Sequence, residues 1–167
     1  MPTEFERVPE TTTYNLLFVC TGNTCRSPLA EVLARRELAR RGWGHVSVAS
    51  AGTNAAAGAP ASAEALAVAA RRGLDLGYHR SRPLTPDAVR WADLVLAMGP
   101  SHRASVQRLG GDDKVALLTD FAAGADGIGH AVADPFGGSE AVYEETAREL
   151  EALIAASLDR LAPILHP

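Results

Sequence analysis

The chain has 167 residues, enough for one compact domain with a single substantial core. Hydrophobic residues at 47% and charged residues at 22% exclude an intrinsically disordered polymer. A net charge of −4 gives no electrostatic case for nucleic acid or an anionic membrane surface, so any anion site must be local.

The first stretch, "MPTEFERVPETTT" (Met1 to Thr13), is polar and contains two prolines. It lacks the basic start and apolar stretch of a signal peptide and reads as a loosely held tail before a domain at 14–167. "YNLLFV" (Tyr14 to Val19) is an apolar run that predicts a strand buried on both faces. Ser27 and Pro28 then predict a helix start, a hydroxyl cap followed by proline at the first helical position. Ala30, Leu33, Ala34 and Leu38 recur at helical spacing, and Gly42 closes the segment.

A second strand is expected over His45 to Ser50, followed by a glycine- and alanine-rich loop from Ala51 to Pro60. Ala61 to Gly73 reads as a helix. "DLVLAM" (Asp93 to Met98) and "VALL" (Val115 to Leu118) predict two more buried strands, with a helical stretch after Pro100 between them. From Ser139 an amphipathic helix places Leu150, Leu153, Ile154, Ser157, Leu158 and Leu161 on one stripe. Strands alternating with helices imply a single doubly wound α/β domain, a parallel sheet covered on both faces. Such sheets bind ligands beyond the carboxyl ends of their strands, which is where Cys20 falls. No run is long enough to span a bilayer, and the two cysteines make no disulfide framework, so a reducing cytoplasm is the expected setting.

The chemistry concentrates in "CTGNTCRS", Cys20 to Ser27, between the first strand and the first helix. Backbone N–H groups of such a loop can converge on one point at a helix N-terminus. Gly22 permits φ > 0 and Asn23 tolerates it, so Thr21, Gly22, Asn23, Thr24 and Cys25 can curl into a nest. Arg26 adds a planar fork suited to two oxygens of a tetrahedral anion. Helix dipole, N–H groups and Arg26 all favour a thiolate at Cys20, and Ser27 can donate a hydrogen bond to the sulfur. A thiolate beneath a phosphoryl group is placed for in-line attack on phosphorus. Alone, a cysteine at a strand end is usually a small buried hydrophobe. An ATP-type phosphate loop would need a lysine after its glycine, and a zinc site needs about four ligands, which Cys20 and Cys25 without a nearby histidine do not supply.

This stretch resembles the Cys-x5-Arg-Ser loop of the low-molecular-weight protein-tyrosine phosphatase family. "ADPFGGSEAVYEE" supplies the Asp-Pro pair expected late in such a chain, at Asp134 and Pro135. "SAGT", "HRSRPLT" and "ADLVLAM" extend the resemblance over nearly the whole chain. It implies a four-stranded sheet in the flavodoxin-like order 2-1-3-4 and a monomer acting on phosphorylated proteins without cofactor or metal. It also implies Cys20 as the nucleophile that becomes a phosphocysteine, Arg26 as the phosphoryl clamp and Asp134 as general acid and then base. Asn23, Ser27, Ser50 and His79 resemble a polar network supporting the loop, although His79 alone reads as a surface or structural histidine and Ser50 is equally ambiguous. Cys25 resembles the family's second loop cysteine, able to trap an oxidised Cys20; a packed loop thiol is the plainer reading.

Substrate choice turns on Thr24 and Phe136. Tyrosine-directed members commonly carry a bulky aliphatic residue at the loop position of Thr24 and an aromatic wall after the Asp-Pro. "CTGNTCRSP" with "DPFGGS" is instead similar to the bacterial protein-arginine phosphatases of the same family. Phosphoarginine is therefore the favoured substrate and phosphotyrosine the alternative, with Thr24 as a neutral loop substitution the plain reading. Arsenate reductases share the fold and loop but need further cysteines, which this chain lacks. A non-catalytic phospho-binding module would need neither Cys20 nor Asp134.

Overall fold

The computed structural model describes residues 13–124 and 130–165. Apart from Thr13, the segment expected to be a tail lies outside them. Four strands, β1 (Tyr14–Cys20), β2 (Val46–Gly52), β3 (Leu94–Ala97) and β4 (Val115–Leu117), form one parallel sheet in the order β2-β1-β3-β4. This is the arrangement anticipated from the sequence. The helices are α1 (Arg26–Arg41), α2 (Ala63–Arg71), α3 (Pro86–Trp91), α4 (Pro100–Val106), α5 (Leu118–Ala123) and α6 (Glu140–Leu165).

The unbroken apolar run from Leu16 to Cys20 in β1 follows from cover on both faces. Leu16, Phe18 and Cys20 join a core with residues of α1, α2 and α6, including Leu29, Leu33, Val68 and Leu150. Leu17 and Val19 point the other way, onto Ala88 and Val89 of α3 and Val106 at the end of α4. Each strand residue therefore loses its apolar surface to one of two separate cores, which drives the sheet's formation.

Several boundaries differ from the sequence reading, each for a local reason. Ser27 does not cap α1: the helix begins at Arg26, and Cys25 in the cap position makes no side-chain cap bond. The Ser27 hydroxyl is engaged with Cys20 and Asn23 and is not free to cap. β2 runs on to Gly52 because its pairing with β1 continues as far as Cys20. α2 is shorter than expected, capped by Ser62 Oγ accepting the Ala65 N–H at 3.3 Å. The short helices α3 and α5 escape periodicity analysis, which needs longer windows. Leu118 opens α5 rather than ending β4. On α6 the predicted stripe is buried except Leu153, which packs at its margin.

The β1–β2 register, from Tyr14 opposite Val46 to Cys20 opposite Gly52, ends both strands level. A Cβ at Gly52 would lie 2.4 Å from the carbonyl oxygen of Thr21 and 3.0 Å from the amide nitrogen of Asn23. Only glycine lets the chain pass so close to the loop after β1.

Candidate active site

The loop from Thr21 to Cys25 leaves the end of β1 and runs into the N-terminus of α1. First-turn N–H groups of a helix have no intrahelical acceptor, so this end carries positive potential. Here no side chain caps it and no acidic residue stands in the first turn. The loop is anchored at three backbone points: Cys20 O accepts from Thr53 N at 2.9 Å, Thr21 O from Asn54 N at 3.0 Å, and Thr24 O from Ser62 N at 3.0 Å. Asn23 sits at φ 57, the only non-glycine with positive φ among the described residues. Asparagine tolerates that left-handed conformation better than most side chains.

Asn23 is also the centre of a buried network. Its Oδ1 accepts the Arg82 backbone N–H at 2.9 Å, which fixes the amide so that Nδ2 faces two serines. Nδ2 donates to Ser27 Oγ at 2.8 Å and to Ser50 Oγ at 2.9 Å. Ser50 in turn donates to Glu31 Oε1 at 2.8 Å, and Glu31 pairs with Arg35 at 3.0 Å. His79 Nε2 donates to the Asn23 carbonyl at 2.7 Å. Asn23, Ser27, Ser50 and His79, grouped by the resemblance as a polar network supporting the loop, lie together in one place.

Cys20 is buried, with Ser27 Oγ at 2.8 Å from its sulfur. Ser27 accepts its bond from Asn23, which leaves its single proton free to reach Cys20. The network thus places a hydroxyl able to donate beside the sulfur.

Arg26 comes from the first turn of α1, with Nη1 donating to the Val132 carbonyl at 3.0 Å and Nη2 3.5 Å from Asp134 Oδ2. Val132 is itself tied to the end of β3, its N–H donating to Met98 O at 2.8 Å. These bonds bring the Asp-Pro segment across the loop. Asp134 Oδ1 accepts the Phe136 N–H at 3.1 Å, and Gly138 N donates to Pro135 O at 2.8 Å, so "DPFGG" folds as a compact turn with Asp134 half exposed. A pocket of about 220 Å³ results, lined by Cys20, Thr21, Gly22, Thr24, Cys25, Arg26, Asp134 and Phe136. Phe136 stands at its rim, 78% exposed.

Cys25 is buried too, and both cysteines are free thiols. Its sulfur lies 3.1 Å from the Tyr143 hydroxyl of α6 and 3.7 Å from Ser62 Oγ. Burial, then the contact with Cys25, pushes the Tyr143 hydroxyl up to about 12. On the opposite side, Thr21 Oγ1 lies 2.8 Å from Nε2 of His102, which α4 carries.

Sequence reading did not single out Glu31, Gly52, Arg82, His102, Val132 or Tyr143 as builders of this site. A glycine ending a strand does signal close backbone approach, so Gly52 was detectable. Backbone groups such as Arg82 N and Val132 O carry no residue-type signal at all.

The arrangement can hold a tetrahedral dianion: N–H groups at a helix start, a guanidinium on one side, a thiol at the base and a carboxyl at the rim. The model of the family described as low molecular weight phosphotyrosine protein phosphatase matches residues 15–163. A protein-arginine-phosphatase of Geobacillus stearothermophilus is 44% identical over 155 residues, 92% of this chain and 97% of that one. The fold superposes with a TM-score of 0.82 on the YwlE arginine phosphatase, solved as a cysteine-to-serine mutant with a phosphorylated active site serine. That pair is 39% identical and covers 88% of this chain and 95% of the other. A low molecular weight protein tyrosine phosphatase from T. tengcongensis is equally near, with TM-score 0.82, 39% identity, and 89% and 100% of the two chains covered.

Proposed function

Because the chain belongs to the low molecular weight phosphotyrosine protein phosphatase family and is a protein phosphatase, we propose that it removes phosphate from phosphorylated protein side chains through a phosphocysteine on Cys20, with phosphoarginine as the preferred substrate. The observation that carries this reading is the single pocket wall shared by Cys20, Arg26, Asp134 and Thr24.

In the first step the Cys20 thiolate attacks phosphorus while Arg26 and the loop N–H groups take up the charge on the non-bridging oxygens. The bond from phosphorus to the side-chain nitrogen breaks, and protonated Asp134 gives its proton to that nitrogen. A guanidine leaves poorly unless protonated as it departs, so Asp134 matters at least as much as for a phenol. In the second step the Asp134 carboxylate takes a proton from water, whose oxygen attacks the thiophosphate. The S–P bond breaks, inorganic phosphate forms, and the departing sulfur regains the Ser27 hydrogen bond. These residues supply attack, charge stabilisation and proton transfer, and the proposed steps call on no metal or cofactor.

Thr24 supports the choice of phosphoarginine. It is small and polar on the pocket wall, where a branched aliphatic chain would crowd a planar P–N linkage. The high identity to a protein-arginine-phosphatase over nearly full lengths points the same way. Phe136, an aromatic ring on the rim, favours the alternative of a phosphotyrosine phenol, although a flat guanidinium can stack there equally. The proposed setting is a monomer in the cytoplasm acting on phosphorylated proteins, with 14–167 as the catalytic domain. Among the described residues no helix is long and apolar enough to cross a membrane.

Phosphate release from matched phosphoarginine and phosphotyrosine peptides, with Cys20→Ser as the blank, tests the reading. A marked preference for phosphoarginine, shifted toward phosphotyrosine by Thr24→Ile, is expected. Preference of the unaltered protein for phosphotyrosine would overturn the assignment.

A further inference from the structure

Thr21 and His102 form a pair at the pocket edge that the steps above leave unused. Thr21 directly follows Cys20, lines the pocket and is exposed. His102 is carried by α4, beyond the end of β3, and is only 5% exposed. Its Nε2 lies 2.8 Å from Thr21 Oγ1, and its Nδ1 is buried with no hydrogen-bond partner.

The unpartnered nitrogen selects the tautomer. A neutral imidazole has one N–H, and either nitrogen can carry it. On Nδ1 the proton would be a buried donor without an acceptor, on the ring that already feels the Arg26 cation. On Nε2 it finds Thr21 Oγ1 at hydrogen-bond distance. Nδ1 then keeps a lone pair, an unpaired acceptor that costs less on a ring facing the Arg26 cation than an unpaired donor would. Protonating both nitrogens would bury that same orphan donor together with a charge. Burial and Arg26, against an opposing pull from Asp134, accordingly bring the His102 pKa down from 6.5 to about 4. The ring is neutral at physiological pH.

With Nε2–H donating, Thr21 Oγ1 is an acceptor toward the protein, and its own proton has to point elsewhere. The exposed side of Thr21 is the pocket. We propose that His102 is a positioning residue that turns the Thr21 hydroxyl proton into the pocket, adding a side-chain donor for a phosphoryl oxygen to the Arg26 fork and the backbone N–H groups. This rests on the phosphatase reading of the pocket. It gives the buried histidine a role in orienting a neighbour rather than in exchanging protons with substrate.

The test uses the full chain and its His102→Leu, His102→Gln, Thr21→Val and double Thr21→Val/His102→Leu variants. Circular dichroism establishes that each is folded. Phosphate release from a phosphoarginine peptide is measured together with inhibition by inorganic phosphate. Losing a hydrogen bond to a charged oxygen slows turnover by roughly ten-fold, so Thr21→Val and His102→Leu should each lower kcat/KM by about that factor, mainly through kcat. The double variant should be no worse than either single one, because both remove the same donor. His102→Gln, whose amide N–H can reach the place of Nε2–H, should recover most of the activity. Long-range ¹H–¹⁵N correlation of the imidazole should show the proton on Nε2, which a merely packing role would not require.

A proton on Nδ1, additive losses in the double variant, or a Thr21→Val enzyme as fast as the parent would each overturn the proposal. If His102→Leu does not fold, Thr21→Val, His102→Gln and the tautomer decide it. An unaltered protein that releases phosphate from neither peptide class and is untouched by inorganic phosphate would sink the phosphatase reading instead, and the tautomer measurement would still stand apart from it.

Discussion

The hydroxyl of Ser27 lies 2.8 Å from the sulfur of Cys20, and it accepts the Asn23 amide N–H while its own proton is free to reach that sulfur. A serine that looks from sequence like a helix cap is thereby turned onto the nucleophile. Asn23 holds this orientation only because the Arg82 N–H occupies its other end.

Ser27→Ala removes that donor without touching the pocket walls. Phosphate release should fall by roughly ten-fold or more, the scale of a hydrogen bond to a charged group. Alkylation of Cys20 by iodoacetamide should slow in parallel. An unchanged rate in both assays would mean that the Ser27 proton points away from the sulfur.

Gly52→Ala puts a methyl group where the Thr21 carbonyl already stands at 2.4 Å. The obstacle is backbone, so the loop itself must shift. Overpacking of this kind costs about 1–3 kcal/mol, and the displaced loop should also lose phosphate affinity. Thermal unfolding and inhibition by inorganic phosphate report the two effects separately. A variant as stable and as active as the parent would show that β2 can retreat from the loop.

Tyr143→Phe deletes the hydroxyl 3.1 Å from Cys25. The loss is about 1 kcal/mol, a few degrees in Tm for a chain of this size. In a Cys20→Ser background, where Cys25 is the sole remaining thiol, its alkylation should accelerate as the helix-borne tether is lost. Equal alkylation rates with and without the hydroxyl would remove Tyr143 from any part in guarding Cys25.

The pH dependence of stability should carry a signature of His102. Its folded pKa of about 4 lies below the ordinary 6.5, so within that interval the unfolded chain binds a proton that the folded chain refuses. Stability therefore rises with pH across that window and levels off above it. Melting curves of the parent should steepen their decline below about 6.5, and His102→Gln should flatten the dependence over the same range. An identical slope in the variant would show that His102 protonates freely in the folded state.

Much of this protein was legible before its structure. β1 declares itself by an apolar run, and α6 by a stripe of leucines at helical spacing. Cys20, Gly22, Asn23 and Arg26 are neighbours in the chain, so the anion loop can be read from spacing alone. Where local signals competed, the reading failed: Ser27 and Pro28 looked like a helix start, and the network drew Ser27 inward instead.

By itself, then, the sequence determined the parallel α/β class, the loop, and the identities of thiol and guanidinium, since these depend on residue order and local backbone preference. Beyond Asp134, Ser50 and His79, which the resemblance implied, tertiary structure alone decided which distant groups complete the site. Arg26 meets the Val132 carbonyl across 106 residues, Cys25 meets Tyr143 across 118, and Thr21 meets His102 across 81. Such meetings follow from strand order, register and the packing of helices on both sheet faces. No propensity or periodicity in a short window encodes them, because their free energy is gained only when the whole sheet has closed.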